Sequence, residues 1–139
     1  MDKIEHIGIA VKDLEVSNAL FTKIFGVDPY KQERVTSEGV ETSFFQMGDS
    51  KIELLEGFSE GNAISKFIEK RGEGMHHIAF AVNDIRAEMD RLKKEGFELL
   101  SDEPKRGADN KWVCFLHPKT TNHLLIELCQ DIEISEGEK

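Results

Sequence analysis

The sequence predicts an α+β fold of two βαβββ modules forming a concave mixed sheet with helices on its outer face. Two observations carry that expectation. The first is an internal repeat: His6-Ile7-Gly8-Ile9-Ala10-Val11 returns as His77-Ile78-Ala79-Phe80-Ala81-Val82, and Lys51-Ile52-Glu53-Leu54-Leu55 returns as Leu125-Ile126-Glu127-Leu128-Cys129. The second is a change of period at an aspartate in each copy. Alternation of two gives way to helical spacing just after Asp13 and again just after Asp84.

The elements follow in order. In the opening strand Ile7, Ile9 and Val11 share one side, while His6, Gly8 and Ala10 share the other. Asp13 is an N-cap, and Val16, Leu20, Phe21, Ile24 and Phe25 hold helical spacing until Gly26 stops the helix. Residues 27–36 read as a strand weakened by Pro29, and 40–47 as another, joined through Gly48-Asp49-Ser50 to a strand at 51–56. A connector helix spans 62–71, with Ile64, Phe67 and Ile68 on its apolar face and Gly72 and Gly74 closing it. The second module repeats the order. A strand at 77–82 leads to a helix capped by Asp84, bearing Ile85, Met89 and Leu92 and ending at Gly96. A strand is expected around 97–100, a long polar loop over 101–110, and strands at 112–116 and 124–129. The chain thus reads as one domain over 1–139: module one about 3–57, connector helix about 62–71, module two about 75–130, and an acidic tail over 131–139.

Composition narrows the function classes. The 139 residues are 39% hydrophobic and 32% charged, with 27 acidic against 18 basic residues and a net charge of −9. Such a chain has nothing with which to neutralise a phosphate backbone, so nucleic acid is excluded as a partner. No apolar run approaches the roughly 20 residues of a membrane span, and Met1-Asp2-Lys3-Ile4-Glu5 has no signal-peptide character, so the expected compartment is the cytoplasm. Cys114 and Cys129, inside apolar strands, read as reduced core residues without a catalytic role.

The repeat also supplies chemistry. Ile52 and Leu54 go to the helix side, which sends Glu53 the other way, and Ile126 and Leu128 do the same for Glu127. His6 and His77 share that opposite side. A carboxylate flanked by Ile and Leu on an apolar strand needs a cation, because an unpaired buried charge costs several kcal/mol. Two histidines and two glutamates at equivalent points of a repeat therefore point to one divalent metal held by His6, Glu53, His77 and Glu127. Imidazole nitrogen with carboxylate oxygen suits Co, Mn, Fe, Ni or Zn, and the lack of thiolate argues against a structural zinc cage. Four such ligands leave two positions of an octahedral ion for a bidentate oxygen substrate.

The runs HIGIAVKDL, IELLE, KFIEKRGEGMHHIAFAV, DEPKRGADNKWVCFLHPK and LIELCQ, taken together, resemble the vicinal oxygen chelate superfamily over nearly the whole chain. Within it they resemble the epimerases that act on a 2-methylmalonyl-CoA thioester. That resemblance implies a metal-dependent isomerase, free of organic cofactor, that inverts the carbon between a thioester and a carboxylate. It places the family's ligands on His6, Glu53, His77 and Glu127, and makes Glu127 both ligand and base. His76 lies on the other face by alternation and is left out. Some family members carry a second base on the third strand. Here the pattern departs, since the matching position after Gly39-Val40 is Thr42, and Glu41 fills the role only if the strand carries a bulge or a shifted register. An anionic coenzyme A tail calls for cations such as Lys105, Arg106, Lys111 and Lys119. Members of the fold often pair, so a homodimer is expected. Two alternatives remain on the same fold: a glyoxalase-type lyase acting on a thiol hemithioacetal, and a non-enzymatic small-molecule binding module. The long matched runs disfavour the first and the complete ligand set disfavours the second. Ring-cleaving dioxygenases, with three-ligand iron in longer chains, rank last.

Overall fold

The computed structural model describes residues 1–133; residues 134–139, most of the expected tail, lie outside the described residues. The α+β class and the two βαβββ modules are observed, in a mixed sheet of eight strands. The described chain divides into two compact units, residues 4–79 and residues 80–133 with Met1–Lys3.

The first unit contains β1 (Lys3–Ala10), α1 (Leu14–Phe25), β2 (Lys31–Val35), β3 (Val40–Met47), β4 (Ser50–Gly57), α2 (Ala63–Arg71) and most of β5 (Gly74–Ala81). Its strand order is β2-β3-β4-β1-β5, with β1 parallel to β4 and the other module-one pairs antiparallel. Asp13 caps α1 by accepting the Val16 N–H at 3.1 Å, and Gly26 ends it at φ 74°, a left-handed turn that glycine adopts without a Cβ penalty. The two sheet faces have separate cores. Val11, Leu14, Phe45 and Leu54 pack with Phe21 and Phe25 of α1, while Ala10, Val40, Leu55 and Ile64 pack with Phe67 and Ile68 of α2. Phe44, Phe45 and Leu54 are fully buried, each stabilising the fold by about 1.5–3 kcal/mol.

α1 is apolar on its outer side as well: Val16, Leu20 and Ile24 are 64, 53 and 61% exposed. In the repeat the same positions of the second-module helix are Ala87, Arg91 and Glu95, all exposed. The module architecture therefore does not itself require an apolar stripe there.

The second unit carries the end of β5, α3 (Ile85–Lys94), β6 (Lys105–Gly107), β7 (Lys111–Leu116) and β8 (Ile126–Asp131). The three last strands order as β8-β7-β6, antiparallel throughout, and the Val82 N–H donates to Cys129 O at 2.8 Å. Ile85, Met89 and Leu92 of α3 pack on Cys114, Leu116 and Leu128.

Three sequence expectations change. β2 begins at Lys31 rather than 27, because Pro29 has no N–H to donate and the ladder opens only with Tyr30 N–H to Phe44 O. The segment 97–100 is not a strand; it makes a single bridge, Leu99 to Leu116. The sixth strand lies instead inside the expected polar loop, at Lys105–Gly107, paired among the described residues with β7 alone. A charged edge strand lacks the apolar alternation that reveals a covered one. The signal that could have revealed it is Asp109-Asn110, both at positive φ (59° and 57°), which turn the chain between β6 and β7.

Candidate functional site

In the first unit the site grows from the β1–β4 ladder. His6 stands opposite Lys51 and Gly8 opposite Glu53, so His6 and Glu53 share the face that carries Ala10 and Leu55, away from α1. His77 stands on β5, the neighbour of β1. Its ring lies directly over Gly8, where a Cβ would come within 2.2 Å of His77 Cε1. Gly8 therefore leaves the space that the ring occupies.

The three side chains meet. His6 Nε2 is 3.0 Å from His77 Nε2, and His6 Nδ1 is 3.0 Å from Glu53 Oε2. All three residues are buried. A group that sequence reading passed over joins them: Glu5 Oε1 lies 2.9 Å from His6 Nδ1, and Glu5 Oε2 lies 3.2 Å from Lys51 Nζ. Alternation assigns Glu5 to the face of Ile7 and Ile9, and so hides it. Its signal was charge in a strand that, His6 apart, is apolar from Ile4 onward. His76, also set aside by alternation, brings its Nδ1 to 2.9 Å from His77 Nδ1 and packs edge-on to Phe67.

The donor chemistry fits a divalent cation. Ligand atoms of Glu5, His6 and Glu53 lie within 4.8 Å of one another, all buried. The imidazole nitrogens of His6 and His77 with the Glu53 carboxylate, and no thiolate, make a set for a hard or borderline ion.

In the second unit Glu127 stands on β8 opposite Phe115, buried between Ile126 and the fully buried Leu128. The Cys129 thiol donates to Glu127 Oε2 at 2.9 Å. Cys114 pairs with Leu128 and faces α3, so the two cysteines point to opposite faces of their strands; both are free and buried. Burial pushes the Cys114 thiol above its ordinary range, which makes it a poor nucleophile.

Glu41 does not join His6 and Glu53. The β3–β4 ladder runs one-to-one from Val40 to Met47 without a bulge, pairing Glu41 with Glu56 and Phe44 with Glu53. Three residues separate the two pairs, so Glu41 faces α1 while Glu53 faces away. There it accepts from Gln32 Nε2 at 2.8 Å and pairs with Arg34 at 3.5 Å. It lines a cleft of about 650 Å³ with Leu14, Asn18, Gln32 and Glu56. Of the candidate cations, Lys111 is buried and bound to Asp131, and Lys119 binds Glu98. Lys105 and Arg106 are exposed on β6, with the Arg106 guanidinium 5.3 Å from the Trp112 ring centre. No helix among the described residues is long and apolar enough to cross a membrane.

Comparison with known proteins gives a consistent picture. The profile of the glyoxalase/bleomycin resistance protein/dioxygenase superfamily matches residues 5–115. An ethylmalonyl-CoA/methylmalonyl-CoA epimerase from Cereibacter sphaeroides is 42% identical over 92% of this chain and 97% of its own. The human mitochondrial methylmalonyl-CoA epimerase is 37% identical, covering 94% of this chain and 74% of its own. The structure of a Streptomyces coelicolor methylmalonyl-CoA epimerase variant in complex with 2-nitronate-propionyl-CoA superposes with a TM-score of 0.89 at 33% identity, covering 96% of this chain and 99% of that one.

Proposed function

The chain belongs to the glyoxalase/bleomycin resistance protein/dioxygenase superfamily and is an isomerase of the epimerase kind; from that premise we propose that it interconverts (R)- and (S)-methylmalonyl-CoA. The observation that carries the reading is the buried meeting of His6, His77 and Glu53, at the positions the repeat singles out. We assign His6, Glu53, His77 and Glu127 as the residues that hold a divalent ion, of the cobalt, manganese, nickel or zinc type. When bound, such an ion supplies Lewis-acid stabilisation of the negative charge that develops on the thioester oxygen as C2 loses its proton.

The protein's own groups do the rest. Glu127, as a carboxylate, takes the C2 proton from one epimer and, in the reverse direction, delivers a proton to that same face. Its burial removes competing water from the base, and its donor Cys129 fixes the orientation of one oxygen. Inversion requires a second group on the other face of C2; Glu41, held on the α1 side by an unbroken ladder, is left out of that pair. Lys105 and Arg106 are the cations assigned to the anionic coenzyme A tail, since Lys111 and Lys119 already serve Asp131 and Glu98. The reading places the enzyme in the cytoplasm as a homodimer. The exposed Val16-Leu20-Ile24 stripe, whose counterparts in the repeat are Ala87, Arg91 and Glu95, supports pairing.

Proton–deuterium exchange at C2 of methylmalonyl-CoA in heavy water tests the reaction. Exchange with inversion that is lost on chelation and restored by Co(II) is the expected result. A chain that leaves C2 protonated with every divalent metal tried is not this enzyme.

A further inference from the structure

Glu5 stands outside both the repeat and the ligand set, since the residue before the second histidine is His76. It is nevertheless 5% exposed, and a buried carboxylate is retained only where its charge is used. Both of its oxygens are engaged. Oε1 lies 2.9 Å from His6 Nδ1, and Oε2 lies 3.2 Å from Lys51 Nζ. Lys51 is the residue opposite His6 in the parallel β1–β4 ladder, so one rung holds both the ring and the cation that anchors the ring's acceptor. The other ring nitrogen, Nε2, points at His77 Nε2, 3.0 Å away.

A neutral imidazole carries one N–H and one lone pair, and the nitrogen that donates decides which one is free to bind an ion. We propose that Glu5 is a positioning residue for His6: anchored by Lys51, it accepts the Nδ1–H and so presents the Nε2 lone pair toward His77 for a divalent cation. The inference rests on the metal reading above. Glu53 is the other carboxylate at Nδ1, 3.0 Å away, but in that reading it is itself a ligand. Glu5 is then the acceptor that keeps the ring in place. Hydrogen bonds of this kind hold ligand rings in one tautomer and orientation, and their loss weakens metal binding by about 10- to 100-fold.

The test titrates the metal-free chain with Co(II), followed by visible absorption, and reads the His6 ring by long-range 15N NMR at a pH above the imidazole range. Glu5→Gln keeps the shape and removes the charge. Its Co(II) affinity falls by about 10- to 100-fold, the His6 tautomer moves from Nδ1–H toward a mixture, and the metal-free melting temperature holds, because the amide oxygen still accepts from Lys51 Nζ. Two results overturn the proposal. One is Co(II) affinity within about twofold of wild type with an unchanged tautomer, well short of the loss expected on removing such a partner. The other is a fall in metal-free stability that accounts for the weaker binding, which would mark a structural role. His6→Ala separates this outcome from failure of the metal reading. If it abolishes Co(II) binding while Glu5→Gln does not, the site stands and Glu5 does not position it; if neither change matters, the metal reading itself is wrong.

Discussion

Gly8→Ala should disturb the candidate site through a single methyl group. The added Cβ would lie 2.2 Å from His77 Cε1 and 2.7 Å from His77 Nε2. Carbon atoms in contact sit about 3.5–4.0 Å apart, so the ring must withdraw by more than about 1 Å. Metal–ligand distances tolerate only about 0.2 Å, and the displaced nitrogen is no longer where an ion shared with His6 needs it. Overpacking costs about 1–3 kcal/mol, while replacing a strand glycine by alanine returns about 0.5–1 kcal/mol, for a net loss of up to about 2.5 kcal/mol. For a chain of this size that is a fall in melting temperature of up to about 10 °C. Two assays check it: thermal unfolding of the metal-free chain, and Co(II) titration. The sharper readout is a double-mutant cycle with His77→Ala. Once the ring is removed the new methyl has room, so the cost of Gly8→Ala should vanish, with a coupling of about 1 kcal/mol or more. A Gly8→Ala chain that binds Co(II) like wild type, with a cost that simply adds to that of His77→Ala, would refute the packing of His77 on β1 described above.

Three further outcomes are expected. Glu127→Gln should keep most of its metal, because the amide still offers an oxygen, yet lose C2 exchange by about 10²- to 10⁴-fold; near-normal exchange with both epimers in the metal-loaded variant would place the base elsewhere. Leu20→Glu, at a side chain 53% exposed on a single chain, should convert the chain to monomers by light scattering and lower the melting temperature only by what loss of pairing removes; a wild-type monomer would remove the homodimer reading. The Arg91 guanidinium, hydrogen-bonded to Glu88, holds that carboxyl below its ordinary value of 4.5. A carboxylate with a depressed pKa stabilises the fold above its unfolded value and stops doing so as pH falls through the folded one. Glu88→Gln should therefore cost less than about 1 kcal/mol near neutrality and nothing in strong acid. A difference that grows toward low pH would reverse the sign and reject the pair.

The repeat and the local periods, helical or alternating, were enough to identify α1, α2, α3, β3 and β7 to within a residue or two, and to single out His6, Glu53, His77 and Glu127. These features are legible because covered strands and amphipathic helices write their burial into a local period. Alternation also separated Glu53 from Ile52 and Leu54, which pack with α1 as expected. Tertiary structure decided what has no local period. β6 is an edge strand recognisable only by its partner β7, and residues 97–100 had strand composition but a single bridge. Glu41 sat in the right strand, yet its face followed from a ladder whose register a sequence cannot display. Glu5 is the opposite case: alternation turned it away from His6, and only the spatial neighbourhood of Lys51, 46 positions later, brings its carboxylate to the ring. Periodicity records which side of an element is covered, whereas a hydrogen bond between strands depends on which residues the fold sets opposite one another.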